Sequence, residues 1–238
     1  MPREEHALEH LDGPLARTDL AETLGDIERL NRRFGGHRLT LRELRRRLPR
    51  DRRAVVVDVG GGRGDFAVHL ARWARRAGRP LRVIVVDRDP ATAALARAHC
   101  AALPEIVVLQ ADATALPIRA GGVDVAVSVL TLHHLPPDAA ATMLAEMRMA
   151  ARDAVVVNDL LRSRLAWCAV WLSTRLFARH AFSRHDGPLS VRRAYSVGEL
   201  TTLADRARLA HVHVRRWPWL ARIVLVASPW PAPPASAS

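Results

Sequence analysis

The sequence predicts a doubly wound α/β domain built on a mostly parallel sheet of seven strands. Short runs rich in Val and Ile alternate with alanine-rich stretches of helical spacing between residues 53 and 158. The apolar runs are continuous rather than alternating, as strands buried on both faces must be. Most are followed by a stretch long enough for the crossover helix that a parallel pair requires.

The elements follow in order. The first 17 residues are polar and broken by Gly13-Pro14, which predicts a mobile arm or short cap. Thr18 stands where it can cap a helix over 18–34, with Leu20, Leu24, Ile27 and Leu30 near helical spacing. Gly35-Gly36 ends that helix, and a second over 39–48 stops at Pro49, its Arg42, Arg45 and Arg46 on a solvated face. Strands are predicted over 54–59, 81–87, 106–110, 123–129 and 154–158, and helices over 66–77, 91–102 and 138–150. Beyond Asp159 the pattern changes to an apolar helix or helix pair over 160–182, then a loop over 184–194 around Gly187-Pro188. Ser196 with Glu199 makes a capping box, and strands over 211–217 and 222–227 complete the sheet. The chain thus divides into an N-terminal arm with cap helices (1–52), a core (53–159), a helical insert serving as a substrate lid (160–194) and a C-terminal completion of the core (195–228). The Pro, Ala and Ser of the tail (229–238) predict disorder.

Composition narrows the partners. At 238 residues, 49% of them hydrophobic, the chain can bury a sizeable core. It has no apolar run of the roughly 20 residues needed to span a membrane, and its N-terminus lacks the apolar core of a signal peptide. Two cysteines, Cys100 and Cys168, do not make a disulfide framework, so a cytoplasmic setting is expected and both are read as helix-packing residues. The formal net charge is +12, yet all 36 basic residues are arginine. Total exclusion of lysine looks like a codon bias rather than selection for phosphate binding, which weighs against nucleic acid as a partner.

The chemistry begins at Asp58-Val59-Gly60-Gly61-Gly62-Arg63-Gly64, a strand end, a glycine turn and a helix start. The dinucleotide pattern G-x-G-x-x-G, read from Gly60, would need glycine where Asp65 stands. The pattern present is acid-x-G-x-G-x-G. It resembles motif I of the class I S-adenosylmethionine-dependent methyltransferases, which have a Rossmann-like fold. An acid beside the turn suits that cofactor, which carries an ammonium where a dinucleotide carries a pyrophosphate.

The resemblance continues through the next strands and implies a cofactor site. Asp87 closes the second strand and would accept from the ribose hydroxyls, with Arg88 along the adenine edge. Gln110-Ala111-Asp112-Ala113 resembles the third-strand motif, in which Asp112 takes the adenine amino group and Ala113 offers its N–H. The segment from Val123 through Ser128 to Leu130, with His133-His134-Leu135, resembles the fourth strand of small-molecule methyltransferases and adds Ser128 to the cofactor set. Asn158-Asp159-Leu160 and the later His185-Asp186-Gly187-Pro188 look loosely like bacterial enzymes of aromatic polyketide pathways, which implies natural product biosynthesis.

Which methyl transfer follows from the remaining residues. A phenol, thiol or enol needs a base, and His133 and His134 lie just past the fourth strand, where one is required. Asn158 and Asp159, at the end of strand five, and Trp167 and Trp171, one helical turn apart in the insert, are the substrate candidates. Ordinary core packing is the default reading of Trp167 and Trp171, with a hydrophobic substrate lid or a helix in weak contact with a membrane surface as the alternatives. The carboxylate set of metal-dependent catechol-type enzymes is missing, so no metal is expected, and His6 with His10 reads as an exposed pair of no consequence. The leading reading is O-methylation of a small apolar or phenolic metabolite. The alternatives are an RNA-directed methyltransferase using the arginine surface and a cofactor-binding scaffold without catalysis. The oligomeric state is left open.

Overall fold

The computed structural model describes residues 1–230; of the tail read as disordered, residues 231–238 lie outside the described residues. Seven strands form one sheet: β1 (Ala54–Val59), β2 (Leu81–Asp87), β3 (Ile106–Gln110), β4 (Val123–Val129), β5 (Ala151–Leu160), β6 (Ala210–Trp217) and β7 (Arg222–Ser228). Their order is β3-β2-β1-β4-β5-β7-β6, parallel except for β7, which runs antiparallel to β5 and β6. The order reverses between β1 and β4, so their carboxyl ends open a crevice at the switch point.

Eight helices flank the sheet among the described residues: α1 (Arg17–Arg33), α2 (Gly36–Leu44), α3 (Asp65–Arg76), α4 (Pro90–Cys100), α5 (Pro137–Ala150), α6 (Arg164–Phe177), α7 (Ala181–Arg193) and α8 (Val197–Arg206). On one face α2 and α3 pack against Val56, Val83, Val125 and Val156; on the other, α5 and α8 cover Val57, Val155 and Leu225. The caps follow local chemistry. Asp89 accepts from Thr92 N at 2.7 Å ahead of Pro90, Ser163 accepts from Ala166 N, and Ser196 and Glu199 close the expected capping box.

Four expectations need correction. Of the two readings of the first 17 residues the short cap fits and the mobile arm does not: Glu4 N donates to Arg192 O at 3.0 Å and Arg3 donates to the carbonyls of Arg193 and Leu135. Helix α1 starts at Arg17 on Ala16, so Thr18 lies within its first turn and is no cap. Residues 184–194 are not a loop but most of α7, with Pro188 inside the helix. Gly187 explains why packing overrides the turn signal: a Cβ there would lie 2.6 Å from Thr174 Cγ2, so the glycine lets α7 press against α6. Finally, Cys168 is exposed on α6 and packs nothing, whereas Cys100 is buried beneath Gly64.

Candidate active site

The glycine turn after β1 is built around two neighbours. At Gly60, φ is +67° and a Cβ would fall 2.1 Å from Thr131 Cγ2, so only glycine fits. Gly62, at φ +55°, directs its N–H to Asp87 Oδ2 at 3.0 Å. Beneath the turn Asp58 is 1% exposed, and neither of its carboxylate oxygens has a hydrogen-bond partner. Burial first, then the charges of Asp65 and Asp87, push its pKa up to about 7. A buried carboxylate with no donor, under a turn stripped of side chains, is a cradle for a cationic group. The ammonium of S-adenosylmethionine meets that requirement, so the residues present fit the cofactor.

The other cofactor candidates line up along the same crevice. Half-buried Asp87 has its pKa raised by burial, against the pull of the N–H groups of Asp89 and Gly62. Arg88 is exposed beside it. Asp112 is exposed at the end of β3, its Oδ1 accepting from Thr114 N and Oγ1 at 2.7 Å each, which holds its pKa low. Ala113 is partly buried next to it. Ser128 is fully buried inside β4 with an unpartnered Oγ, whereas Leu130, in a left-handed conformation at the strand's exit, faces the cavity described next.

That cavity, about 180 Å³, opens beyond the carboxyl ends of β4 and β5. Its walls are mainly apolar, from Ile27, Leu30 and Phe34 of α1, Leu130, Leu160, Val170 of α6, and Trp219 and Leu220. Polar side chains, Glu9, Asn31, His133, His134, Asp186, Ser190 and Arg222 among them, supply the smaller part of its surface. A small set of polar groups in an apolar cleft is the usual composition of a small-molecule site.

His133 is held by Asp159 through two bonds, and a third steadies the carboxylate. Its backbone N donates to Asp159 Oδ2 at 3.0 Å, its Nδ1 lies 2.6 Å from Asp159 Oδ1, and Leu160 N supports the same oxygen at 2.7 Å. Burial would raise the Asp159 pKa, but His133 and these N–H groups outweigh it and hold it below the ordinary value. An ionised Asp159 accepts, so His133 donates from Nδ1, and Nε2 is the ring atom left to exchange a proton. Nε2 stands 3.9 Å from Glu9 Oε1, a buried carboxylate brought in by the arm and held by Ser190 Oγ at 2.7 Å.

His134 is engaged differently. Its Nδ1 lies 2.8 Å from Asp12 Oδ1, and Arg193 binds Asp12 from the other side. Burial works against the imidazolium, but Glu9 and Asp12 outweigh it and hold its pKa above the ordinary value. Opposite, Arg222 is 7% exposed; its Nη2 donates to Asn31 Oδ1 at 2.6 Å while its Nη1 is buried without a partner. Burial pulls its pKa down to about 10, against the charge of Asp159.

The sequence-read substrate residues fare unevenly. Asp159 is at the site, but through His133. Asn158 points elsewhere: its Nδ2 donates to Gly36 O at 3.1 Å and Thr40 Oγ1 at 2.7 Å, fastening α2 to β5. Trp167 is half-buried and Trp171 exposed, stacked with centroids 6.5 Å apart; the cavity takes Ala169, Val170, Ser173 and Thr174 from their helix instead. His10, dismissed as an exposed pair with His6, bonds Asp186 Oδ1 at 2.8 Å and stacks on Phe182. Two His and acid triples, Glu9/His133/His134 and His10/His185/Asp186, come together among the described residues. Hydrogen bonds to carboxylates already engage the Nδ1 atoms of all four histidines. Sequence reasoning missed Glu9, Asp12 and Arg222. Their roles come from tertiary packing, and no local pattern marks them.

Residues 56–154 match the family model described as a methyltransferase domain. No curated protein matches the chain. Among solved structures it is similar to a candidate O-methyltransferase from Nostoc punctiforme PCC 73102, at 13% identity and TM-score 0.66, covering 94% of this chain and 64% of that one. It is also similar to the CMeT domain of the citrinin polyketide synthase, at 12% identity and TM-score 0.60, covering 79% and 50%. A S-adenosylmethionine-dependent methyltransferase from Aquifex aeolicus aligns at 19% identity and TM-score 0.54, covering 73% and 81%. The chain thus spans half the length of the citrinin synthase domain structure and under two thirds of the Nostoc one. Residues 56–154 are thus a methyltransferase domain, and the seven-stranded fold with its glycine cradle over Asp58 fits S-adenosylmethionine as the cofactor.

Proposed function

We propose that the chain methylates an oxygen of a small, apolar, phenolic acceptor, with His133 as the base. The observation that carries this is the Asp159–His133 pair, whose imidazole lines a largely apolar cavity at the carboxyl ends of β4 and β5. When bound, S-adenosylmethionine supplies the electrophilic methyl group and its own leaving group. The chain's residues then have three tasks. The apolar walls exclude water and orient the acceptor ring. His133 Nε2 takes the hydroxyl proton, and Asp159 fixes the tautomer and stabilises the imidazolium that forms. The unpartnered Nη1 of Arg222 offers a donor to a developing phenolate. His134 serves as a charged clip for the arm rather than as a second base.

The similarity of the fold to a candidate O-methyltransferase and to a polyketide synthase domain supports an acceptor of that chemical type. The test uses labelled cofactor and a panel of apolar phenols. His133→Ala should lower turnover by about 10²–10⁴-fold with cofactor affinity nearly unchanged. Asp159→Asn should lose a large part of that, because the asparagine leaves the imidazole in the wrong tautomer. Full activity in both variants would leave alignment alone to carry catalysis and would remove the base assignment.

A further inference from the structure

The outer face of α6 is apolar and uncovered. Leu165, Leu172 and Leu176, at helical spacing, are 55%, 51% and 64% exposed, and Trp171 lies beside them. Trp219, on the 3-10 turn after β6 that contacts α6, is 91% exposed. A soluble surface rarely leaves so many large apolar side chains together unless something covers them.

The rim of this patch is basic. Arg175 lies 4.0 Å over the Trp171 ring and Arg33 lies 4.3 Å over Phe177. Together with Arg179 and Arg184 they border a groove beside Leu176, and among the described residues none of these four forms an ion pair with a carboxylate. We propose that α6 and Trp219 dock the protein on an anionic lipid bilayer, the leucines entering the acyl boundary and the arginines meeting the phosphates. An apolar helical face, flanking cations and tryptophans at the border is the composition of a helix lying in the membrane interface. No helix of the described residues is long and apolar enough to cross a membrane, so α6 lies on the surface.

Charge decides against the other obvious occupant. A second copy docked on the same face would bring these unpaired arginines towards their own equivalents, whereas lipid phosphates neutralise them. The docking rests on exposure and charge and does not depend on which acceptor is methylated. It does suit an apolar one: Val170 and Trp219, on the elements that form the patch, also line the cavity.

The experiment is co-sedimentation of the full chain with vesicles of phosphatidylcholine alone and of phosphatidylcholine with phosphatidylglycerol. The expected result is sedimentation with the anionic vesicles, weakened by salt and by omission of phosphatidylglycerol. The Leu172→Glu/Leu176→Glu double variant should bind about tenfold more weakly or worse, with melting temperature and cofactor affinity unchanged because both side chains are exposed. Arg33→Glu/Arg175→Glu should lose the preference for anionic vesicles. Three results would overturn the proposal: no sedimentation at low salt, leucine variants that bind like the parent, or a dimer dissolved by Leu172→Glu in a protein that ignores vesicles.

Discussion

Asp58 makes the cofactor site testable without any acceptor. Its pKa is pushed up to about 7, chiefly by burial, so in the cofactor-free protein it keeps its proton through mildly acid pH. The folded state then binds more protons than the unfolded chain between the ordinary value of 3.8 and about 7, and stability falls as pH rises across that window. An ammonium arriving beside Asp58 favours its ionised form, so cofactor binding at pH 6 should release a proton that is already gone at pH 8.5. Calorimetry in buffers of different ionisation enthalpy measures this release directly. Asp58→Asn should raise the melting temperature of the cofactor-free protein at pH 8, weaken cofactor binding and abolish the proton release. An unchanged proton count in the variant would show that another group titrates. At this scale much of the cofactor site was legible in sequence. Asp58 and its glycines form one contiguous motif, Asp87 closes β2, and Asp112 follows two residues after β3. Ser128 lies buried inside β4 with its Oγ unpartnered, a depth that a strand's last residues do not show in sequence.

Among the elements, the N-terminal arm is where structure adds most. Its only regular piece is the 3-10 turn His10–Asp12, yet it delivers Glu9 to His133 and Asp12 to His134 and Arg193. Gly13-Pro14 and a polar composition signalled a free arm, because the ionic partners that hold it lie more than a hundred residues away. The same limit explains α7, where Gly187-Pro188 spelled a turn and close packing on Thr174 made a helix. The strands and helices of the core were legible because continuous Val/Ile runs and alanine-rich helices are local signals. The arm's docking should depend on pH with a definite sign. His134 has a raised pKa, so its contribution is complete below the ordinary value of 6.5 and is lost as pH rises through the folded value. Asp12 has a lowered one, so its contribution is present above 3.8 and fails only in strong acid. Hydrogen exchange of residues 4–12 should therefore speed up from pH 6 to pH 9, after correction for intrinsic rates, while β1 and β4 stay protected. His134→Gln should show the faster exchange at both pH values. Equal protection of the arm across pH in the parent protein would mean that Arg193 and the Glu4–Arg192 contacts hold it alone.

The whole molecule sets a cofactor cradle at the β1 turn beside an apolar cavity at the exits of β4 and β5, closed by α1, α6, α7 and the arm. Arg52 with Asp124, Arg75 with Glu105 and Arg162 with Glu199 are structural pairs, while Arg33, Arg175, Arg179 and Arg184 beside α6 pair with no carboxylate among the described residues. Composition alone could not separate these two populations, because pairing is decided by the fold. The central claim is that this arrangement methylates a phenolic oxygen through a base held by Asp159, and its most direct test is a pH–rate profile. Labelled methyl transfer to one apolar phenol would be measured for the parent and for His133→Ala, from pH 6 to the pKa of the free phenol. The account predicts that the variant's deficit is largest at low pH and shrinks as the phenol ionises, because a phenolate needs no base. A deficit of the same size at every pH, or no deficit at all, would contradict it.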